Sequence, residues 1–426
     1  MKSSIAQSIQ SGLFVLDGAM GTAIQALNID IQSDYLGREN CIDILTRSRP
    51  DIVRSIHESF LAVGVDAIET NTFGANRLVL SEFDDEVASW AYELNVQSAN
   101  IAREACDGVQ GDRFVLGSMG PGTKLISLGQ TTWNEMYDSY SEQARGLIEG
   151  GVDAFLIETC QDILQVKCAI NACMDALAIA GKTTDDIPIL VSITIETTGS
   201  MLVGSDLQTV VHTLKPYPIL SLGLNCATGP DLMEPHIAWL AKHWDGFISV
   251  VPNAGLPEMV EGIAHFPLSP HAYGVSMKRF VEHYGVDIVG GCCGTTPEHL
   301  ASFIKQKPDK KTRACDALLP CATSLYSPVE FKQDTSILII AERTNANGSR
   351  KFKRLLEEEQ WDGLVEMARE ELSGGAHVLD VCVDYVGRDG VNDMEEIVGR
   401  LCQQVDAPLM LDSTDAKAIE AGLKRA

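Results

Sequence analysis

Three cysteines of this chain have positions at which a metal could bind. Cys226 ends the apolar run I-L-S-L-G-L-N-C, and Cys292 and Cys293 follow the run V-D-I-V-G-G. Gly290 and Gly291 allow a backbone bend through which adjacent cysteines can face one ion, although in a regular strand they would point to opposite faces. Three thiolates with one vacant position are typical of a catalytic zinc site, because a fourth protein ligand closes a structural site. Buried free cysteines are the alternative explanation, since cysteine is often found in cores.

Acidic and amide side chains end several other apolar runs. Asp17 follows F-V-L, Glu69 and Glu158 each precede a threonine at the end of a run, and Asn253 follows V-V-P. Carboxylates beside a zinc-binding trio could hold an ammonium group, so the combination indicates a site for a thiol amino acid. A structural role is the alternative for Glu69, which could simply anchor its own loop.

The loop after Asp17 contains small residues whose backbone amides are free to bind an anion. Its sequence is D-G-A-M-G-T, and the anion-binding candidates are Gly18, Ala19, Met20 and Gly21. These amides could hold the carboxylate of an amino acid, although the two glycines could equally form only a turn. The sequence shows no Ser-His-Asp arrangement, Walker loop or H-E-x-x-H motif, which disfavours hydrolase and nucleotide-binding functions.

Eight apolar runs with helical stretches between them must position these residues. Near-continuous Val, Ile and Leu runs are typical of strands buried on both faces of a parallel sheet. Three runs follow the glycine of a G-V-D phrase, at Gly64, Gly151 and Gly285, where a helix should end and a strand begin. Eight such units predict a (β/α)8 TIM barrel over residues 1–305, with the site at the carboxyl ends of its strands. A doubly wound open sheet is the alternative, but no G-x-G-x-x-G follows the first run. The runs begin at Phe14, Val65, Phe114, Val152, Pro188, Ile219, Gly246 and Val286.

After the barrel the pattern breaks and then resumes. Residues 306–335 contain Lys, Pro and Ser without a sustained period, which predicts a linker that could include a short strand. Residues 336–426 contain three further βα units. Three units cannot close a barrel, so we expect an incomplete second α/β barrel, pterin-binding-like by the resemblance given below, whose remainder lies elsewhere. This part should be poorly supported unless it packs on the first barrel or on a neighbouring chain.

The composition limits the partners and the compartment. The chain has 426 residues, with 33 basic and 59 acidic side chains and a net charge of −26. Nucleic acid and anionic membrane surfaces are therefore not expected as partners. The first residues lack an apolar signal segment, and no run of about 18 apolar residues is present to span a membrane. The 12 cysteines are irregularly spaced, as in proteins of a reducing compartment, so we expect a cytoplasmic protein.

The motifs D-G-A-M-G-T, L-N-C, P-N-A-G and G-G-C-C-G-T, in this order, resemble those of the zinc-dependent homocysteine S-methyltransferases. The resemblance covers residues 1–305 and implies one zinc ion per chain, bound by Cys226, Cys292 and Cys293. It also implies that Asn253 can approach the zinc when substrate is absent.

The same resemblance implies a substrate and a reaction. The substrate is L-homocysteine, whose amino group would be bound by Asp17 and Glu158 and whose carboxylate would be bound by the loop at residues 18–21. The reaction is methyl transfer to the homocysteine thiol, which gives methionine.

The segment after the linker distinguishes the methyl donors used within that family. The stretches A-E-R-T-N-A-N-G-S-R-K-F, V-L-D-V-C-V-D and P-L-M-L-D-S-T resemble the start of the methyltetrahydrofolate-binding barrel of the cobalamin-dependent methionine synthases. This resemblance implies pterin contacts from Glu342, Asn345, Asp412 and Asp380, and carboxylates suit the N–H donors of a pterin ring. The continuation V-C-V-D-Y-V-G-R-D-G departs from the more usual I-N-M-D-E-G type.

By this resemblance methylcobalamin is the immediate methyl donor and 5-methyltetrahydrofolate the ultimate donor. The chain has no D-x-H-x-x-G cobalamin motif, so cobalamin is expected on a separate domain or chain. Two alternatives stay open: a homocysteine S-methyltransferase that uses betaine or S-methylmethionine, and a non-catalytic zinc-binding regulatory module.

Overall fold

A computed structural model describes residues 3–260 and 263–426, in which helices and strands alternate. Within these residues, no helix combines the length and the apolar character needed to cross a membrane. The strands are β1 (Phe14–Val15), β2 (Ala67–Glu69), β3 (Phe114–Met119), β4 (Ala154–Cys160), β5 (Ile189–Ile193), β6 (Ile219–Asn225), β7 (Phe247–Val251), β8 (Glu258–Val260), β9 (Ile263–His265), β10 (Ile288–Val289), β11 (Cys321–Thr323), β12 (Pro328–Glu330), β13 (Ile340–Ala341), β14 (Val378–Val381) and β15 (Leu409–Leu411). The helices are α1 (Ile5–Ser11), α2 (Met20–Gln25), α3 (Leu45–Ser48), α4 (Pro50–Ala62), α5 (Arg77–Leu80), α6 (Asp85–Ala88), α7 (Ala91–Asp107), α8 (Trp133–Glu149), α9 (Ile163–Ile179), α10 (Leu207–Leu214), α11 (Pro230–His243), α12 (Pro270–Tyr284), α13 (Pro297–Ile304), α14 (Arg350–Glu357), α15 (Trp361–Ser373), α16 (Gly390–Gln404) and α17 (Ala416–Leu423).

Eight strands form one parallel sheet that is nearly closed into a barrel. Their order is β1-β10-β7-β6-β5-β4-β3-β2, and the pairings within it are parallel. The two end strands also lie side by side, because the amide of Asp66 donates to the carbonyl of Val15 at 2.7 Å. The (β/α)8 barrel predicted from the sequence is confirmed, and the doubly wound alternative is wrong.

The interior of the barrel is a small apolar layer that α1 closes at one end. A capping box starts α1, since the Ser4 side chain accepts from the amide of Gln7 and the Gln7 side chain accepts from the amide of Ser4. Ile5 and Ile9 of this helix pack into the layer. The layer consists of Ile5, Ile9, Phe14, Leu16, Ala67, Phe114, Leu116, Ala154, Leu156, Leu190, Val251 and Ile288.

Left-handed glycines mark the return from helix to strand at all three G-V-D phrases. The φ angle is +96° at Gly64, +80° at Gly151 and +64° at Gly285. Side chains with a Cβ rarely adopt this conformation, so glycine is the residue that ends these helices at least cost.

Two antiparallel hairpins interrupt the alternation. Neither pairing was predicted, although the sequence allowed one short strand within the linker. The strand β8 pairs with β9 after the seventh barrel strand, and β11 pairs with β12 within the linker. The linker is also bound to the barrel, because Arg313 and Lys310 lie 2.7 and 3.0 Å from the carboxylate of Asp287. Since Asp287 is only 4% exposed, these ion pairs hold the linker against the amino-terminal end of β10.

The last part of the chain is a three-stranded parallel sheet covered by helices. The strand order is β13-β14-β15, and its own core includes Phe352, Leu379 and Ile397. This unit contacts the first barrel, because the side chain of Gln403 donates to the carbonyl of Ser127 at 2.8 Å. From the sequence we expected this unit to be poorly supported unless it packs on the first barrel or on a neighbouring chain. The structure shows a contact with the first barrel.

Candidate metal and substrate site at the barrel mouth

Three cysteine thiols meet at the carboxyl ends of β6 and β10. The sulfur atoms of Cys226, Cys292 and Cys293 all lie within 4.8 Å of one another, and those of Cys292 and Cys293 are 4.0 Å apart. All three side chains are half-buried. Among residues 3–260 and 263–426, this is the only group of three or more potential His, Cys, Asp or Glu ligands placed to share one ion.

Unusual backbone conformations bring the three sulfurs together. Cys226 has a φ angle of +60°, and its amide donates to the carbonyl of Val251 on the neighbouring strand at 3.2 Å. Before the other two cysteines, a Cβ at Gly290 would lie 2.8 Å from the side chain of Leu16, and one at Gly291 would overlap the side chain of Thr295. The two glycines therefore let the end of β10 pack closely enough to turn both cysteines toward Cys226.

Contacts among the three thiols shift their pKa values in opposite directions. The side chains of Cys292 and Cys293 hydrogen-bond to Cys226 and hold the pKa of its thiol well below the usual range. The same contact with Cys226 is the main cause that raises the pKa of Cys292 and Cys293. A group with one favoured thiolate and two adjacent thiols is a strong attractor for a soft cation.

Asn253 provides a test of whether the site fits a metal. Its side chain is 4% exposed and hydrogen-bonds to Cys226, yet its carbonyl oxygen Oδ1 has no partner among the described residues. A buried polar atom without a partner is costly, so this oxygen is available as a further ligand beside the three sulfurs. Three sulfur ligands with room for a further ligand match the coordination chemistry of zinc.

Three acidic side chains lie at the carboxyl ends of β1, β2 and β4, at the same mouth. Asp17 is 2% exposed and accepts from the amide of Glu69 at 3.2 Å, whereas Glu158 is 7% exposed and accepts from the hydroxyl of Ser118 at 2.5 Å. The carboxylate of Glu69 receives no hydrogen bond from the described residues and lines a cavity together with Glu158.

The three carboxyl groups are held where their charged forms are costly. Burial is the largest cause and raises the pKa of Asp17 and Glu69 well above the usual range, and that of Glu158 to about 7. Neighbouring negative groups add to this effect, namely Glu158 for Asp17 and Glu69, and Cys226 for Glu158. A cation bound between them would offset the cost, because an opposite charge within about 4–6 Å favours the ionised carboxylate.

The loop after β1 has free amides and little room for side chains at its start. A Cβ at Gly18 would lie 2.8 Å from the ring of Phe60. The helix α2 then begins at Met20 with Ala19 as its N-cap, and no side chain caps its amides. A Cβ at Gly21 would have only one atom within 4 Å, Cδ1 of Ile42 at 3.5 Å, so close packing does not require glycine there.

A buried polar network behind the site was missed by the sequence analysis. Asn225 is 1% exposed, and its side chain bonds to Thr159 on β4 and to Ser192 on β5. The sequence offered one signal for it, the position of Asn225 directly before Cys226.

Three of the four expected pterin contacts meet at the carboxyl ends of the second sheet. The side-chain amide of Asn345 donates to Asp380 at 2.8 Å and to Asp412 at 3.4 Å. Asp380 is 5% exposed, and its Oδ1 has no partner among the described residues. Glu342 lies exposed at the end of β13, and the amide of Asn345 donates to its carbonyl at 3.2 Å. A binding role for these residues stays a prediction.

Comparison with known families identifies the barrel. Residues 14–306, more than half of the chain, match the family model described as homocysteine S-methyltransferase. The chain belongs to the homocysteine S-methyltransferase family. Residues 341–426 additionally match the model described as pterin binding enzyme.

Two curated relatives and one solved structure are similar to this chain. The methionine synthase of Mycobacterium tuberculosis (strain ATCC 25618 / H37Rv) is 41% identical over 97% of this chain and 34% of its own length. That of Mycobacterium leprae (strain TN) is 41% identical over 98% of this chain and 35% of its own length. The chain thus spans about a third of the length of these relatives. The crystal structure of the homocysteine methyltransferase MmuM from Escherichia coli, metallated form, shares the fold, with a TM-score of 0.56 and 19% identity over 71% of this chain and 99% of MmuM.

Proposed function

We propose that this chain carries the homocysteine site of a cobalamin-dependent methionine synthase. The reaction is zinc-dependent transfer of a methyl group to the thiol of L-homocysteine, which gives methionine. The observation that carries the proposal is the meeting of three cysteine sulfurs with buried carboxyl groups at one barrel mouth. The 41% identity to the Mycobacterium tuberculosis methionine synthase over 97% of the chain supports it.

Cys226, Cys292 and Cys293 would hold one zinc ion, with Oδ1 of Asn253 as a further donor when substrate is absent. Zinc in such a site lowers the pKa of a thiol that joins it, whereas a free thiol with a pKa of about 8.5 is mostly protonated at neutral pH. With zinc bound, three protein thiolates would give the site a net negative charge. That charge would keep the substrate sulfur electron-rich, as methyl transfer requires.

The other residues at the mouth would bind and orient the amino acid part of homocysteine. Asp17 and Glu158 would bind its ammonium group, because both are buried and carry lone pairs that their present partners do not fill. Glu158 also lies near Cys226. The amides of the loop at residues 18–21, which no side chain caps, would bind its carboxylate. Fixing both charged groups would aim the thiol at the three cysteines.

The second unit favours a folate-linked methyl supply. The match of residues 341–426 to pterin binding enzymes, and the meeting of Asn345, Asp380 and Asp412, support 5-methyltetrahydrofolate as the ultimate donor. Methylcobalamin would be the immediate donor, carried by a separate domain or chain. We propose a cytoplasmic location for the assembled enzyme.

Zinc content with and without homocysteine, combined with X-ray absorption at the zinc edge, tests the proposal. We expect about one zinc per chain, in a sulfur-rich environment that gains one further sulfur when homocysteine binds. Cys226→Ser should lose most of the metal and abolish homocysteine methylation. The exposed Cys315→Ser provides the matched control. A Cys226→Ser protein with full zinc content and activity would contradict the site assignment.

Different experimental results would support the two alternative functions. Methyl transfer from betaine or S-methylmethionine without cobalamin would establish another donor. Zinc binding whose ligand environment does not respond to homocysteine would instead favour a regulatory module.

A further inference from the structure

Asn225 connects three strand ends directly behind the site. Its Oδ1 accepts from the amide of Thr159 at 2.9 Å and from the hydroxyl of Ser192 at 2.8 Å, and its Nδ2 donates to the hydroxyl of Thr159 at 2.7 Å. The side chain is 1% exposed, so these three bonds are shielded from competing water. They join β6 to β4 and β5, and two of the three go to one residue.

Thr159 has a backbone conformation that its surroundings must stabilise. Its φ angle is +58°, in the left-handed region, where a β-branched residue is a genuine outlier. That conformation is strained and persists only where the surroundings impose it. Two hydrogen bonds with Asn225 stabilise it: the amide of Thr159 donates to Oδ1 of Asn225, and the hydroxyl of Thr159 accepts from Nδ2.

The strained residue belongs to a bulge that carries Glu158. The pairing of β4 with β5 shifts at this point, so that Glu158 and Thr159 together oppose Ser192 alone. A bulge bends its strand and re-aims a side chain, and bulges of this kind are over-represented beside active sites. Asn225 bonds to both sides of the bulge, since it contacts Thr159 on one strand and Ser192 on the other.

A second strained turn begins at the residue after Asn225. Cys226 and Ala227 have φ angles of +60° and +49°, which are uncommon for residues other than glycine. Asn225 is the last residue of β6, so the side chain that bonds to the bulge lies on the same strand end that places a cysteine of the trio.

We propose that Asn225 is a positioning residue that couples the two halves of the site. It holds the bulge that aims Glu158 at the substrate ammonium, and it anchors the turn that aims Cys226 at the metal. The inference rests on the proposed function, because that function gives Glu158 and Cys226 their roles. Asn225 acts through these two residues and not on the reacting atoms.

The test starts with Asn225→Ala in the full chain. We expect zinc affinity, measured by competition with a chromophoric chelator, and homocysteine affinity, measured by calorimetry at saturating zinc, each to fall by about tenfold or more. The control is Asn171→Ala, whose side chain bonds to the carbonyl of Lys167 within the outer helix α9. The control should bind both ligands as the unchanged chain does.

A second substitution separates positioning from a general structural role. Glycine adopts a positive φ angle without strain, so Thr159→Gly added to Asn225→Ala should recover much of the homocysteine affinity. Zinc affinity should stay low in the double variant, because the turn at Cys226 is not relieved. If Asn225→Ala does not fold, Ser192→Ala takes its place in the same comparison, because it removes one of the three contacts of Asn225.

The outcomes are distinct. Unchanged homocysteine affinity in Asn225→Ala, or losses that simply add when Thr159→Gly is included, would overturn the positioning role. If the zinc-loaded chain without any substitution does not bind homocysteine, the proposed function itself is overturned.

Discussion

At the residue scale, the carboxyl groups of the mouth are only partly satisfied by the protein. Asp17 accepts a backbone hydrogen bond from Glu69, and Glu158 accepts the hydroxyl of Ser118. An ionised carboxylate can accept about four hydrogen bonds, so both groups keep capacity for a donor from outside the chain. An ammonium group is a donor that also offsets their buried charge.

Glu158→Gln and Asp17→Asn should therefore each weaken homocysteine binding by about 1–3 kcal/mol and leave zinc in place. Each change keeps the size of the side chain and removes one charge-assisted contact to the ammonium group. Isothermal titration of the zinc-loaded variants measures the effect, with Glu142→Gln, on the outer helix α8, as a control of the same chemistry. Unchanged affinity in both variants would mean that the amino group is held elsewhere.

The cysteine trio could be predicted from the sequence, because a barrel brings the ends of strands that are distant in the chain to one mouth. Cys226 and Cys292 are far apart in the chain, but each ends a strand, and the strand ends of a barrel share one mouth. Asn225 could not be predicted in the same way. Its role depends on the φ angle of Thr159 and on a shift of pairing between β4 and β5, and neither has a signature in composition or period.

At the element scale, the end of β10 shows how close packing shapes the site. Gly291 lies against the side chain of Thr295, and the amide of Thr295 donates back to the carbonyl of Cys292 at 3.0 Å. The glycine, the cysteine and the threonine therefore form one compact turn. The period of the apolar runs predicted the strand itself, whereas the hairpins β8–β9 and β11–β12 lie outside that alternation and were not predicted.

Gly291→Ala should displace this turn and weaken zinc binding. The added methyl group would overlap Thr295, and overpacking of this kind typically costs about 1–3 kcal/mol of stability. Thermal unfolding and chelator competition report the two effects. Gly12→Ala is the matched control, because a Cβ there would meet no atom within 4 Å. Equal zinc affinity in the two variants would show that the turn tolerates a side chain.

At the scale of the whole molecule, the linker is bonded to the second unit, and a side chain of that unit is bonded directly to the first barrel. Ser324 and Ser327 of the linker donate to Asp406 at 2.6 and 2.9 Å, and Tyr326 donates to the carbonyl of Gln403 at 3.1 Å. The sequence predicted two units and a linker. It could not show these contacts, because they arise between segments that are separated by about 80 residues.

His57 should make the stability of the chain depend on pH. It is fully buried in α4, neither ring nitrogen has a partner among the described residues, and burial lowers its pKa to about 3. The unfolded chain takes up a proton below about pH 6.5, whereas the folded chain does not do so until about pH 3. The contribution of His57 to stability is thus lost as the pH falls through this window, by up to about 1.4 kcal/mol per pH unit.

Urea unfolding of the full chain at pH 7.5 and pH 5.5 measures this loss. His57→Leu should reduce the difference between the two values, while His271→Leu, at an exposed position of α12, should leave it unchanged. An identical pH dependence in His57→Leu and in the unchanged chain would contradict the assignment.

The 426-residue chain should bind homocysteine but not 5-methyltetrahydrofolate with useful affinity. The residues expected to contact the pterin, Asn345, Asp380 and Asp412, lie at the ends of only three strands, and a ligand at a barrel mouth draws on loops from several more. Asp412 is exposed, so its carboxylate is not desolvated as a tight ligand site requires. Calorimetry with both ligands on one zinc-loaded sample decides the matter, because the homocysteine titration confirms that the protein is competent. Stoichiometric, tight folate binding would show that three βα units already form the pterin site.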